Sequence, residues 1–280
     1  MDFEALVTRY CGVMSTRQLL QAGYAAKDIH DAVDSGALDR LRHGWYATPD
    51  AVPGVVESVR DHHGVHSCIS GLRTHGVWIP QGYDGTHSRI TRDRRRSAPN
   101  RCLRYGRPTP PVGAIDDPLT CVQYCARCLS EEDFIIVCDS AMQLGKFTPA
   151  DLAHAFRHAP DQIRRAITKC DRLAGSGTET AARLRLRSAG MKVEVQHHVP
   201  GVGYVDLLVG DCLTLELDSR DHHTGEENYE SDRERDRKLI AQHYIPLHLT
   251  YRQVFREWAE TFADIQLIVR QRIHRGRRSA

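Results

Sequence analysis

The C-terminal third of the chain contains the stretch Tyr204-Val205-Asp206-Leu207-Leu208-Val209-Gly210-Asp211-Cys212-Leu213-Thr214-Leu215-Glu216-Leu217-Asp218. Two apolar runs flank Gly210-Asp211, a pattern that predicts a β-hairpin. A short turn brings Asp206 opposite Glu216 or one step from it, and Glu216 shares a face with Asp218 because side chains alternate along a strand. Clustered carboxylates repel one another and are costly to bury. The pattern therefore favours a divalent cation bound between them.

The same alternation permits a second interpretation, in which no metal is bound. The leucines of the second strand would face the core, and Thr214, Glu216 and Asp218 would simply face water. Spacing alone does not choose between the two interpretations. The neighbouring motifs along the chain favour the metal site.

Further polar motifs flank the hairpin on both sides. Glu179 stands at the start of a predicted amphipathic helix, in Ser176-Gly177-Thr178-Glu179. His222 and His223 follow the acidic strand, and residues 232–238 predict a charged helix. Alternating apolar residues then predict a last strand over residues 245–250. The predicted order is helix, strand, strand, histidine pair, helix and strand.

This ordered set of motifs, over roughly residues 171–255, resembles the PD-(D/E)xK nuclease superfamily, specifically its very-short-patch-repair-like endonuclease branch. The resemblance implies that Asp206 and Glu216 bind Mg²⁺ or Mn²⁺ and that Glu179 is the acid of the helix. Asp218 would replace the lysine of the superfamily's Glu-x-Lys motif. The residues implied to be catalytic are thus Glu179, Asp206, Glu216, Asp218 and, as the basic group, His223 or His222.

The charged helix that follows contains Arg235, which matches the helix after the acidic strand in the same family. A contact with DNA is one interpretation of this arginine. A charged helix face that is only solvated is the other, and the sequence leaves both open.

The front of the chain predicts a small module of helices and a hairpin. Residues 2–10 form an amphipathic pattern, and Ser15 with Gln18 makes a capping box that begins a helix over residues 16–21. A second helix is predicted over residues 25–35, followed by two strands around His43-Gly44. This order is typical of a winged helix-turn-helix, which binds DNA in many proteins and other proteins in some.

The residue identities in this segment are more informative about its family than its order of helices and strands. The segment reads Gly12-Val13-Met14-Ser15-Thr16-Arg17-Gln18-Leu19-Leu20-Gln21-Ala22-Gly23 and later Arg42-His43-Gly44-Trp45-Tyr46. It resembles the N-terminal domain of AbiEi-type antitoxins, which belong to type IV toxin–antitoxin systems and repress their own promoters through this module. The resemblance implies DNA contacts by Lys27, Arg40, Arg42 and His43, and a toxin or another defence-system protein as a partner.

The middle of the chain has no recognisable catalytic set. Helices are predicted from about Val55 to His63, from Asp116 onward, over residues 134–144 and over residues 149–156. Cys121, Cys125 and Cys128 are spaced by four and three residues, as on one helical face. Their apolar neighbours favour core packing over a zinc site.

Composition limits the remaining possibilities. The net charge is only +2 in 280 residues, so there is no overall excess of basic residues that would indicate a nucleic-acid partner. Only five of the 38 basic residues are lysines. Arginine suits phosphate contacts, although a GC-rich genome would give the same bias. Nine cysteines, an odd number, fit reduced thiols, and no apolar run or signal peptide predicts a membrane protein, so a cytoplasmic location is expected.

The sequence thus predicts a mixed α/β (α+β) protein. Its domains would be a winged helix-turn-helix (1–50), a mixed helical middle region (51–170) and a restriction-endonuclease-like αβββαβ core (171–280). The predicted function is a metal-dependent DNA endonuclease that the winged helix directs to its target. The alternative is a DNA-binding antitoxin or transcriptional regulator without catalysis. The oligomeric state is not decided by the sequence.

Overall fold

The structure, a computed structural model, describes residues 3–90, 101–218, 226–271 and 273–274, with the backbone alone for residues 226–229. The chain divides into two compact units. Unit 1 comprises residues 1–137 and 144–168, and unit 2 comprises residues 138–143 and 169–280. The further division of unit 1 between residues 50 and 51 stays a prediction.

The front of unit 1 has the helices and the hairpin expected of a winged helix-turn-helix. Its elements are α1 (Phe3–Arg9), β1 (Val13–Ser15), α2 (Thr16–Gln21), α3 (Ala26–Asp34), β2 (Asp39–Arg42) and β3 (Trp45–Ala47). The Ser15–Gln18 capping box is confirmed: each side chain bonds the other residue's backbone N–H. Leu6, Met14 and Leu19 pack with Ile29 and Leu38 in the core. Strand β1, which the sequence analysis missed, joins the hairpin in the order β1-β3-β2.

The rest of unit 1 is mainly helical. Its elements are α4 (Pro53–Arg60), β4 (Gly64–His66), α5 (Cys68–Thr74), β5 (Ser88–Ile90), α6 (Pro118–Cys125), α7 (Glu131–Gln143), α8 (Pro149–Ala155) and α9 (Asp161–Ile167), where the last residues of α7 belong to unit 2. Strands β4 and β5 pair antiparallel. Arg89 and Asp116 form a buried ion pair with two hydrogen bonds of 2.5 and 2.7 Å. Both charges therefore have a partner inside the core.

Unit 2 has the predicted αβββαβ order. Its elements are α10 (Gly177–Ser188), β6 (Val193–Val199), β7 (Gly203–Val209), β8 (Leu213–Asp218), α11 (Glu226–Ala241), β9 (Ile245–Thr250), α12 (Tyr251–Phe255) and α13 (Trp258–Arg270). The sheet order is β6-β7-β8-β9, antiparallel except for the parallel pair β8 and β9. A parallel pair needs a crossover connection, and α11 lies in that connection. The mixed α/β (α+β) class is confirmed.

A buried ion pair anchors α10 within unit 2. Arg183 is fully buried, and its Nη2 donates to Asp139 Oδ2 at 2.7 Å. The same carboxylate accepts hydrogen bonds from the Thr180 hydroxyl and from the backbone N–H of Asp171. Removing one partner of such a pair leaves an uncompensated charge in the core. The pair therefore fixes α10, whose first turn carries Glu179.

Among the described residues, no helix combines the length and the apolar character that a bilayer crossing requires.

Candidate functional site

Four polar side chains occupy matching positions on the four strands of unit 2. Leu207 pairs with Leu215, so Asp206 and Glu216 are the next residues along β7 and β8. Glu216 in turn pairs with His248 on β9. On β6, Gln196 lies between two residues that pair with Leu207 and Val205, which places it beside Asp206. We call Gln196, Asp206, Glu216 and His248 the polar row.

Glu179 joins the polar row from the first turn of α10. Gln196 Nε2 donates to Glu179 Oε2 at 3.1 Å and to Asp206 Oδ1 at 3.2 Å, so one amide group bridges the two carboxylates. Gln196 has a φ of 50°, in the left-handed region that non-glycine residues seldom adopt. Such a conformation costs about 1–3 kcal/mol. The strain is concentrated at the residue that bridges the acids.

Backbone groups hold both bridged carboxylates. Glu179 Oε2 accepts from the N–H of Gly175 at 2.8 Å, and the N–H of Glu179 donates to the N-cap hydroxyl of Ser176. Asp206 Oδ2 accepts from the N–H of Leu217 at 2.8 Å, across the hairpin. The two acids are therefore fixed by the helix start and by the sheet.

Glu216 is held by an arginine of α11. Arg235 donates through Nε and Nη2 to Glu216 Oε1 at 3.1 and 2.9 Å, and also donates to the Tyr204 carbonyl. The Glu216 side chain is only 14% exposed, so the interpretation in which it simply faces water is wrong. Thr214 is also buried, whereas Asp218 is exposed at the strand end. Arg235, expected to contact DNA, is thus a partner of Glu216 here.

The far end of the polar row carries a histidine paired with an acid. His248 Nε2 lies 2.9 Å from Asp236 Oδ1 on α11. His248 was not predicted as a site residue, and neither was Gln196. Alternation along β6 and β9 is the only sequence signal that could have placed them on the acidic face. The predicted basic groups His222 and His223 lie outside the described residues.

Burial raises the pKa of all three acids. For Glu179, burial and then the nearby Asp206 carboxylate raise the pKa to about 7. Burial also raises the pKa values of Asp206 and Glu216, against the hydrogen bonds from Leu217 and Arg235 respectively. Such shifts mean that unpaired negative charge is unfavourable at this place. A cation bound among the acids would remove that penalty.

The acids fit a hard divalent cation. Mg²⁺ and Mn²⁺ prefer carboxylate and carbonyl oxygens, which is the donor chemistry that Glu179, Asp206 and Glu216 provide. Gln196 adds an amide oxygen, while its Nε2 already bonds two of the acids. A single nitrogen that bonds both carboxylates also shows that Glu179 and Asp206 are near enough to share a ligand.

The predicted DNA contacts of unit 1 are distributed over α3 and the β2–β3 hairpin. Lys27 and Arg40 are exposed, and Arg40 Nη2 lies 3.4 Å from Nδ1 of the exposed His43. Arg42 lies over the Trp45 ring at 5.6 Å. Its buried Nε has no hydrogen-bond partner among the described residues, and burial lowers the pKa of its guanidinium. The hairpin thus presents the exposed Arg40, while Arg42 is partly buried against Trp45.

Helix α3 is less suited to phosphate than the hairpin is. It carries Asp28, Asp31 and Asp34 beside Lys27. A winged helix commonly places this helix in the major groove, next to phosphates that would repel these aspartates. The wing, which is the loop and strands from Asp39 to Ala47, carries Arg40 and Arg42 against the single acid Asp39.

Comparison with known proteins agrees with the front module. Residues 5–49 match a family model described as a transcriptional regulator, the AbiEi antitoxin. This match covers the winged helix and no part of unit 2. No curated protein matches the chain in sequence. The AbiEi resemblance seen in the sequence is thus supported for the front module, and the endonuclease resemblance stays a prediction.

The raised pKa of Glu179 predicts how stability changes with pH in the presence of EDTA. The folded state holds this proton up to about pH 7, whereas the unfolded state releases it near the ordinary value of 4.5. The contribution of Glu179 to stability is therefore fully present below about pH 4.5 and is lost as pH rises to about 7, by up to about 3 kcal/mol at 1.36 kcal/mol per pKa unit. Asp206 and Glu216 add shifts of the same sign.

Glu179→Gln cannot ionise, so its stability should fall less steeply between about pH 4.5 and pH 7, the interval between the two pKa values. Urea titration, read through hydrogen exchange of unit 2 peptides, measures the slope. Glu230→Gln, on the exposed part of α11, is the control and should keep the wild-type slope. A Glu179→Gln slope equal to the wild-type slope would contradict the assigned burial.

Proposed function

We propose that the chain is a DNA-binding regulator of the antitoxin type, with the winged helix as its DNA-binding module. The observation that carries this proposal is the match of residues 5–49 to the AbiEi antitoxin family, over a segment that folds as α1 to β3. A regulator of this type acts through binding rather than catalysis. A toxin or another defence-system protein is the partner that the family description suggests.

The wing is the part of this module that would hold the DNA backbone. Arg40 is exposed, and Arg42 is partly exposed, with its guanidinium over the Trp45 ring and its Nε buried. Guanidinium groups bind phosphate with two N–H donors, and released counterions make such binding sensitive to salt. The three aspartates of α3 oppose a deep approach of that helix. Wing-led binding is therefore the mode that the charges support.

Replacing both wing arginines tests this mode. Arg40→Ala/Arg42→Ala should weaken duplex DNA binding and reduce the slope of log affinity against log salt by about 1.8, because each lost phosphate contact contributes about 0.9. Fluorescence anisotropy of a labelled duplex over a salt series measures both quantities.

Arg164→Ala/Arg165→Ala is the matched control, because it removes the same charge from α9, outside the winged helix. Its slope should equal that of the wild type. Wild-type binding that does not change with salt would rule out the DNA role and favour a protein partner for the winged helix.

A second candidate function, phosphodiester hydrolysis in DNA, is favoured by the acids of unit 2. Glu179, Asp206 and Glu216 lie together in an αβββαβ unit, as the resemblance to the PD-(D/E)xK nucleases implies. These residues would hold Mg²⁺ or Mn²⁺. The ion would acidify a water molecule and offset negative charge that develops at the phosphate.

The remaining residues of the site have supporting roles in this second proposal. Arg235 orients Glu216 through two hydrogen bonds, and Gln196 keeps Glu179 beside Asp206. His248, bonded to Asp236 and in register with Glu216, is placed to accept or donate a proton. His222 and His223 stay alternatives for that proton transfer.

Cleavage of DNA separates the two candidate functions. Asp206→Asn keeps the size of the side chain but removes a ligand charge, so it should lower metal-dependent cleavage by orders of magnitude while DNA binding is retained. Labelled duplex, mismatched and single-stranded DNA, incubated with Mg²⁺ or Mn²⁺ and resolved on denaturing gels, give the rates.

Asp211→Asn is the control, because Asp211 is exposed at the hairpin turn between the same two strands. It should cleave like the wild type. If the wild type leaves all three DNA substrates intact with both metals, the nuclease proposal falls and the regulator proposal stands alone.

A further inference from the structure

Unit 1 contains a compact group of three thiols and one imidazole. The potential ligand atoms of Cys68, His87, Cys102 and Cys128 all lie within 4.8 Å of one another. Cys68, His87 and Cys102 are buried, and Cys128 is partly buried. The four residues come from separate places in the fold: the start of α5, the residue before β5, the strand-like segment beside β5, and the turn after α6.

We propose that Cys68, His87, Cys102 and Cys128 bind a structural Zn²⁺ ion. With Zn–S bonds of about 2.3 Å and Zn–N bonds of about 2.1 Å, a tetrahedron has edges of about 3.8 Å between sulfurs and about 3.6 Å between sulfur and nitrogen. The Sγ atoms of Cys102 and Cys128 are 3.7 Å apart. Nδ1 of His87 lies 3.3 Å from Cys102 Sγ. Both separations are close to those of ligands around one zinc ion.

The number and type of ligands select zinc and a structural role. Three cysteines and one histidine form a common closed zinc site, and soft thiolates disfavour Mg²⁺ and Ca²⁺. Four protein ligands leave no open position for a substrate, whereas catalytic zinc sites keep one. A disulfide between Cys102 and Cys128 would need a sulfur separation of about 2.0 Å, far below the 3.7 Å observed.

Hydrogen bonds from the backbone N–H groups hold three of the ligand residues in place. The N–H of Cys102 donates to the Ser88 carbonyl at 3.0 Å, which fixes Cys102 beside β5. The N–H of His87 donates to the Ser70 hydroxyl at 2.8 Å. The N–H of Cys128 donates to the Cys125 carbonyl at 2.8 Å, in the turn that ends α6. The donor set is therefore preorganised by the fold.

Cys68, one of the four proposed ligands, has a strained backbone conformation. Its φ of 56° lies in the left-handed region, where a non-glycine residue costs about 1–3 kcal/mol. The thiol at this position belongs to the four-residue group. Coordination of zinc by the thiolate would compensate for the strain, since strained residues persist where the surroundings fix them.

The two cysteines inside α6 do not belong to the proposed zinc site. Cys121 and Cys125 are fully buried within the helix, as the core-packing interpretation predicts. The expectation that Cys128 shares their helical face is wrong, because α6 ends at Cys125. Cys121 Sγ lies near the Ser67 hydroxyl and the Asp116 carbonyl and is not a member of the group. Cys121 therefore provides a matched control.

Zinc would join segments that are distant in sequence. A bound ion would connect α5, β5, the segment at Cys102 and the end of α6 in unit 1. Because an unfolded chain does not preform such a site, the binding free energy of zinc adds to the stability of the fold. We expect chelation to destabilise unit 1.

The test uses the full-length protein, purified from zinc-supplemented cells without chelators. Elemental analysis should give about one zinc per chain, and replacement by Co²⁺ should give the intense absorption of tetrahedral cobalt with thiolate ligands. Cys102→Ser and Cys128→Ser should weaken zinc binding by more than about 100-fold in competition with a chelator, since even outer-shell partners account for about 10- to 100-fold. Cys121→Ser should bind zinc like the wild type.

Two measurements keep the proposal testable if a variant fails to fold. Cys128 is partly exposed in a turn, so Cys128→Ser is the milder change. In the wild type, a strong chelator should lower the melting temperature and added Zn²⁺ should restore it. The proposal is overturned if the wild type binds neither Zn²⁺ nor Co²⁺, if Cys128→Ser binds as tightly as wild type, or if mass spectrometry finds a native Cys102–Cys128 disulfide.

Discussion

The cost of burying carboxylates determines how unit 2 is built around its candidate site. Glu179 is only 5% exposed, and Asp206 and Glu216 are largely enclosed as well. Each carboxylate accepts a hydrogen bond from a different group: the N–H of Gly175 for Glu179, the N–H of Leu217 for Asp206, and Arg235 of α11 for Glu216. These contacts relieve the repulsion only in part, because all three pKa values stay raised. Buried ionic groups can often be replaced together with their partners by apolar residues without loss of stability, so burial alone does not explain why this fold keeps three acids.

In unit 1, buried polar groups are compensated by an ion pair and by a cluster of thiols with one imidazole. Arg89 is matched by Asp116 inside the core, and the buried thiols gather around His87. In the wing, Arg40 is exposed and Arg42 is partly exposed. The proposed DNA contacts thus lie in the wing of one unit, and the proposed metal ligands lie in the other unit. DNA binding by the wing and metal-dependent cleavage by unit 2 are separate proposals. An experiment that disproves one of them leaves the other standing.

Local patterns predicted the elements better than they predicted the sites. The capping box at Ser15 and the alternation around Asp206 are short-range signals, so the winged helix and the hairpin followed from sequence. Gln196 was not predicted: alternation along β6 gives its face of the sheet, but no sequence signal gives its left-handed backbone. The four proposed zinc ligands are 15 to 26 residues apart, far from the paired Cys-x-x-Cys spacing that identifies zinc sites in sequence. Only the packing of α5, β5 and α6 brings them together.

The central claim about unit 2 is that its acids are kept together for a divalent cation, and calorimetric titration with Mn²⁺ tests it most directly. Mn²⁺ prefers oxygen ligands, so the thiol group of unit 1 does not compete for it. The wild type and Asp211→Asn are expected to bind one Mn²⁺ with similar affinity, and Asp206→Asn to bind it far more weakly. Absence of binding to the wild type, or equal binding by Asp206→Asn, would contradict the account.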